Sequence, residues 1–227
     1  MKFLFLIACG IVISVNAFCQ PDSTRTWQVR LAPLSIIDPR TPALQVGLQK
    51  RLSRRLAFSA EYGLASLGWL QPKNSKSPWH NFRYQKVRTE VKYFLGLKKE
   101  IDFKQLQPYV SVETFLLPQN YTKQNDYFWR DPVSYHYDFS KIQKTVWGNC
   151  LKIGLESNIN RNWVMDFYWG LGVRSIFIKH HRLVNLRPEE EPYMLKEWFS
   201  GDDKDKIAGW QQTLHVALGF KLGYYIW

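Results

Sequence analysis

The groups able to do chemistry are thinly spread through this 227-residue chain. His180 and His181 adjoin Arg182, His136 lies between Tyr135 and Tyr137, and His80 stands alone; the acids in the same regions are Asp126, Asp131, Asp138, Asp202 and Asp203. Acyl transfer needs a base, a group that orients it, and a nucleophile or substrate hydroxyl within hydrogen-bond reach. No serine stands at a recognisable catalytic spacing from these histidines. No H-x-x-x-H motif or carboxylate partner makes a metal pair of His180-His181. No catalytic residue, metal or cofactor is expected.

Two other patterns carry chemistry of a different kind. Tyr121, Tyr127, Phe128, Trp129, Tyr135 and Tyr137 crowd one stretch together with Lys123, Arg130 and Lys141. Aromatic faces beside cations suit sugar rings, phosphates or a protein partner, and His180 and His181 join them as candidate binding residues. Equally, such aromatics suit a membrane interface or a loop folded over itself. The second pattern is a set of charges placed at every other residue: Arg30, Lys86, Arg88, Lys92, Lys152, Arg174 and Lys221 against Glu61, Glu90, Glu113, Glu156 and Asp166.

Such spacing needs β-strands to position it. The C-terminal stretch has Leu214, Val216, Leu218, Phe220, Leu222, Tyr224 and Ile226 alternating with His215, Ala217, Gly219, Lys221, Gly223 and Tyr225. A period of two is a strand with two unlike faces. Glycine weakens a strand that faces water, so Gly219 and Gly223 point to a narrow, crowded interior. The same alternation recurs around Trp27–Leu31, Leu44–Gln49, Leu56–Leu64, Lys86–Leu95, Tyr109–Leu116, Trp147–Glu156 and Trp163–Arg174, which makes eight strands. Asn149 interrupts the apolar face of the sixth, and Cys150 is a small residue on its polar face. Polar inside and apolar outside is the pattern of a small transmembrane barrel. At this size side chains fill the interior, and buried charges must be paired.

Connection lengths alternate too. Ser53–Arg55, Gly96–Gln107 and Asn158–Asn162 are the shorter, inner ones; Pro33–Pro42, Leu67–Arg83, Pro118–Gln143 and Lys179–Gly209 are the longer, outer ones. Short turns on one side and long loops on the other are expected of such barrels. Met1–Cys19 has the charged start, apolar run and small residues of a secretory signal, with cleavage expected between Cys19 and Gln20. Residues 20–227 then form one barrel domain. Thirty-one Lys+Arg against 19 Asp+Glu give +12 and a pI near 9.6. The basic residues are dispersed and no nucleic-acid motif accompanies them, so anionic lipid or lipopolysaccharide is the expected counter-charge, not nucleic acid.

The signal ending A-F-C-Q, the eight alternating strands and the ending A-L-G-F-K-L-G-Y-Y-I-W resemble the small outer-membrane β-barrel proteins of Gram-negative bacteria. Among these they are most similar to an uncharacterised group of unknown function with a G-x-x-L-G-Y-like last strand. The resemblance implies outer-membrane residence and recognition of a terminal aromatic, here Trp227, by the barrel-insertion machinery. Tyr225, Gly223 and Lys221, at two, four and six residues before the end, depart from the apolar run usual there. The expectation is an all-β, eight-stranded antiparallel up-and-down transmembrane barrel, monomeric, with a salt-bridged lumen. Its outer loops would contact a surface glycan or protein ligand. The alternatives are an enzyme of lipid A or phospholipid acyl chemistry and a soluble periplasmic lipid-binding barrel. The latter needs the apolar residues turned inward.

Overall fold

A computed structural model describes residues 26–37, 41–65, 80–95, 106–130, 133–189 and 206–226. The leader, Trp227, Asp131, Asp202 and Asp203 lie outside them, as do most of the second outer connection and of the inner connection 96–107. The strands are β1 (Trp27–Ala32), β2 (Ala43–Arg51), β3 (Leu56–Ala65), β4 (His80–Tyr84), β5 (Lys86–Phe94), β6 (Leu106–Arg130), β7 (Val133–Asn158), β8 (Trp163–Val184), β9 (Arg187–Glu189) and β10 (Gly209–Tyr225). Eight of them, β1, β2, β3, β5, β6, β7, β8 and β10, pair in that order with their neighbours, all antiparallel, and β10 returns to β1. The sheet is a closed up-and-down barrel.

Register fixes the geometry of closure. Gln28 pairs with Gln49, and the row continues through Ser59, Glu90, Glu113, Cys150 and Gly172 to His215. Gln28 also pairs with Tyr225, ten residues along the same strand from His215. An eight-stranded barrel closed with such a stagger has strands tilted by about 35–45° and an interior just wide enough for side chains.

Exposure follows the period of two. Val46, Leu48, Phe58, Val91, Val112, Ile153, Trp169 and Val216 face outward, and Leu151, Leu214 and Leu218 are 69%, 70% and 76% exposed. Every strand phase expected from the sequence has this orientation. A soluble lipid carrier, which would turn these residues inward, is contradicted. Trp27, Tyr93, Trp163 and Tyr224 mark one rim of the apolar band; Trp147 and Trp210 mark the other. A contiguous apolar surface of this extent belongs against lipid or protein, not water.

Two of the expected outer loops are strands instead. Pro118–Gln143 continues β6 and β7 as one hairpin, paired without a break in direction from Leu106↔Ser157 to Arg130↔Val133. Beyond Pro118, β6 runs about 40 Å further at about 3.3 Å per residue. Part of Lys179–Gly209 likewise extends β8, which stays paired with β7 as far as Val184. β4 and β9 join the edges of this projecting sheet. Its strands bend at one level: Asn125 on β6 and Arg182 on β8 have positive φ (51° and 50°), and the β7 register shifts between Phe139 and Lys141. Such irregularities re-aim the side chains that follow. Past the bend Phe128 and Tyr137 turn inward where the lower phase would have placed Tyr127 and His136.

Leu218 stands midway along the exposed row of β10. Leu218→Arg is therefore expected to lower stability by about 2–4 kcal/mol in lipid vesicles, measured by urea unfolding. A change within about 0.5 kcal/mol, normal for a surface site in water, would contradict the orientation's meaning.

Candidate functional site: a closed lumen and a projecting hairpin

The inward faces of the ring strands carry small or long polar residues, and the lumen accommodates both. Glycines make room for rings: a Cβ on Gly219 would lie 2.5 Å from the Tyr168 hydroxyl, and Gly154 and Gly148 are filled by Tyr109 and Phe115 on their paired strands. Cys150 faces inward among them and is 2% exposed. This crowding explains why the small residues alternate with the greasy ones along β7, β8 and β10.

Charges occupy the lower lumen in two interlocked groups. Arg30 donates to Glu156 at 2.5 Å and to Asp166 at 2.6 Å, Lys92 pairs with the same two carboxylates, and the Tyr109 hydroxyl donates to Asp166 at 2.6 Å. Lys221 donates to Glu61 at 2.5 Å and Glu90 at 3.0 Å, while Lys152 pairs with Glu113 and, at 3.4 Å, Glu90. Lys92 and Lys152 also lie over the rings of Tyr109 and Tyr168, 4.1 and 4.2 Å from the centroids. Arg88 faces the same interior, close to Tyr168, Glu113 and Glu61. Gln45 and Gln49 on β2 donate to Glu61 and Glu156, so every ring strand contributes. The paired lysines and acids are at most 5% exposed.

Lys86 and Arg174 also face inward, one step higher, and Arg174 Nε donates to Thr213 Oγ1 at 2.7 Å. Further up, Phe115, Leu117, Tyr121, Val146, Ile176 and Ile178 pack together, with Gln119 and Lys144 buried among them. Tyr121, expected in an outer loop, is thus part of this packed interior and 3% exposed. An ionic tier below and a mostly apolar tier above thus fill this centre with buried side chains.

The remaining candidate binding residues gather on the projecting sheet. Phe128 stacks on His180 with centroids 4.2 Å apart and on Tyr135 at 5.6 Å, and Tyr137 lies 5.8 Å from His180. The Tyr127 ring lies tilted against His136, centroids 5.5 Å apart, and receives Lys206 over its face at 3.8 Å; Trp129 and Arg130 continue to the tip, and His181 pairs with Lys141 on the outer face. The fold also supplies the serine that spacing did not reveal: Ser140 Oγ lies 3.1 Å from His180 Nδ1. Those residues are 40 apart in sequence and meet only through the β7–β8 register. The pair lacks the order of a hydrolase site. Among the described residues no acid bonds the ring's other nitrogen, Nε2, which is buried and has no partner among them, and Ser140 is fully buried. Lys123 holds Asp126 at 2.7 Å. Burial and the nearby Lys123 push the His180 imidazole down to about pH 4. Among the described residues no group of histidines, cysteines and acids could hold a metal.

Two outcomes follow. Lys221→Met leaves Glu61 and Glu90 short of a buried cation and is expected to cost about 3–5 kcal/mol in urea unfolding; an unchanged midpoint would contradict the network. His180 should titrate near pH 4 by NMR. Its folded pKa lies below the unfolded value, so the projecting sheet is most stable above about pH 6.5 and loses stability as pH falls towards 4. A midpoint at 6.5 would show the ring solvated.

Comparison with known proteins adds little to this geometry. No protein-family model matches the chain, including any for the uncharacterised barrel group it resembles, and no curated protein matches it. The crystal structure of Acinetobacter baumannii CarO is similar over 89% of this chain and 97% of its own, with 11% identity and a TM-score of 0.38.

Proposed function

We propose that this chain is an outer-membrane β-barrel whose lumen is a structural plug and whose projecting hairpin is its working surface. The observation that carries the reading is the division of faces: apolar residues outward, paired charges inward. In lipid all backbone groups must bond within the protein, and a closed barrel satisfies them without an edge. The short connections then face the periplasm and the β6–β7 hairpin faces outward from the cell.

The interior is filled, so transport through the centre is not the role. Surface interaction is, with Tyr127, Trp129 and Arg130 towards the hairpin tip and a glycan or protein as ligand. Lys141 and Lys179 stand on the outward face just beyond Phe177 and Trp210, the outer end of the apolar band. Cations at that depth suit lipopolysaccharide phosphates. The expected behaviour is recovery with outer membranes, faster gel migration without boiling than after it, and no conductance steps in planar bilayers. Recovery in the soluble periplasm would end the reading, and stable conductance would end the plug.

A further inference from the structure

Cations and aromatic rings alternate along the inner rim of one wall, the one built from β1, β2, β3 and β5. Lys50 pairs with Trp27 in the β1–β2 register, and its Nζ lies over the indole, 5.1 Å from the centroid. Arg55, exposed in the β2–β3 turn, donates from Nη1 to the Tyr93 hydroxyl at 3.2 Å. Leu56, next in the chain, pairs with Tyr93 on β5. Four adjacent strands about 4.8 Å apart carry this patch round roughly 14 Å of wall. Trp27 and Tyr93 belong to the aromatic rim of the apolar band, the level at which a bilayer holds its phosphates. Carboxylates are placed differently. Within the barrel wall the described ones, Glu61, Glu90, Glu113, Glu156 and Asp166, all point into the lumen and are at most 5% exposed. None of them faces lipid beside Lys50 or Arg55.

We infer that this patch binds a phospholipid whose headgroup carries a net negative charge. The inference rests on the proposed membrane residence and orientation, which put this rim in the periplasmic leaflet. A guanidinium has five N–H donors, so the bond to Tyr93 leaves Arg55 donors for a phosphodiester. Lys50, held over Trp27, supplies a second positive charge, and both stems lie along the apolar wall with their charged ends towards the headgroups. Phe58 and Val91 continue the outward row of Lys50 and offer the acyl chains an apolar surface. A zwitterionic lipid brings an ammonium together with its phosphate. Here that ammonium meets two fixed cations, no outward carboxylate among the described residues, and an indole face that Lys50 already covers. A headgroup without an ammonium brings the phosphate alone. Each cation at such a surface favours the anionic lipid by about five-fold.

The test uses the full chain in phosphatidylcholine vesicles that hold a small fraction of nitroxide-tailed lipid, either phosphatidylglycerol or phosphatidylcholine. A fluorophore on Leu56→Cys reports lipid at the patch. One on Leu155→Cys, outward on β7, reports the far wall, and Cys150 is buried inside. Quenching at position 56 is expected to need about five-fold less labelled phosphatidylglycerol than labelled phosphatidylcholine, with no such difference at position 155. Lys50→Gln combined with Arg55→Gln should remove the difference, and Lys50→Arg combined with Arg55→Lys should keep it, while gel migration reports a folded barrel in each. Equal quenching by the two lipids at position 56, or a difference that survives the double glutamine change, overturns the inference. So does binding to cell-wall sacculi that the glutamine change abolishes in a chain without lipid preference, which would give the patch to an acidic glycan polymer. A folded, vesicle-bound chain without the preference overturns the lipid site alone; a chain that never partitions into vesicles overturns membrane residence as well.

Discussion

Buried charge inside a closed wall is the constraint from which the rest follows. Arg30 and Lys92 face Glu156 and Asp166, and Lys152 and Lys221 face Glu61, Glu90 and Glu113. None of these can be left alone at such burial, because an uncompensated ion inside a protein costs several kcal/mol. Each bond therefore fixes two strands at one register. A shift of one residue would turn a charge outward and a leucine inward. The pairs join partners up to 160 residues apart, so the network specifies closure of the ring as well as filling its centre.

Three kinds of packing follow one another along the barrel axis. Ionic contacts dominate the lower lumen, aliphatic and aromatic packing the upper lumen, and stacked aromatics the projecting sheet. Each zone is rigid for its own reason. Long paired strands continue above the filled barrel, and there Phe128, Tyr135 and His180 hold one another in place.

The barrel wall was legible in the sequence because its two faces meet opposite environments. Leu214 to Leu222 alternates so strictly that strand phase, outward direction and the inward charge of Lys221 all follow from the residues. The hairpin was not legible as strand. From Asn120 to Lys141 almost every residue is polar or aromatic, so the period of two fades and the stretch reads as a long connection. Ser140 and His180 come together only through pairing 40 residues apart, and the inward turn of Phe128 depends on the left-handed Asn125, which has no signature beyond its residue type. Asn149 was visible as an exception; its hydrogen-bond partner Thr114 was not.

The central claim concerns what each side of the wall touches. Spin labels attached one at a time at positions 214, 216, 218 and 222 of the vesicle-bound chain can be probed with oxygen, which concentrates in lipid, and with a water-soluble nickel chelate. The account predicts high oxygen accessibility at all four positions, greatest towards 218, with the chelate excluded. Broadening by the chelate at 218 would mean that this face meets water, and would contradict the account.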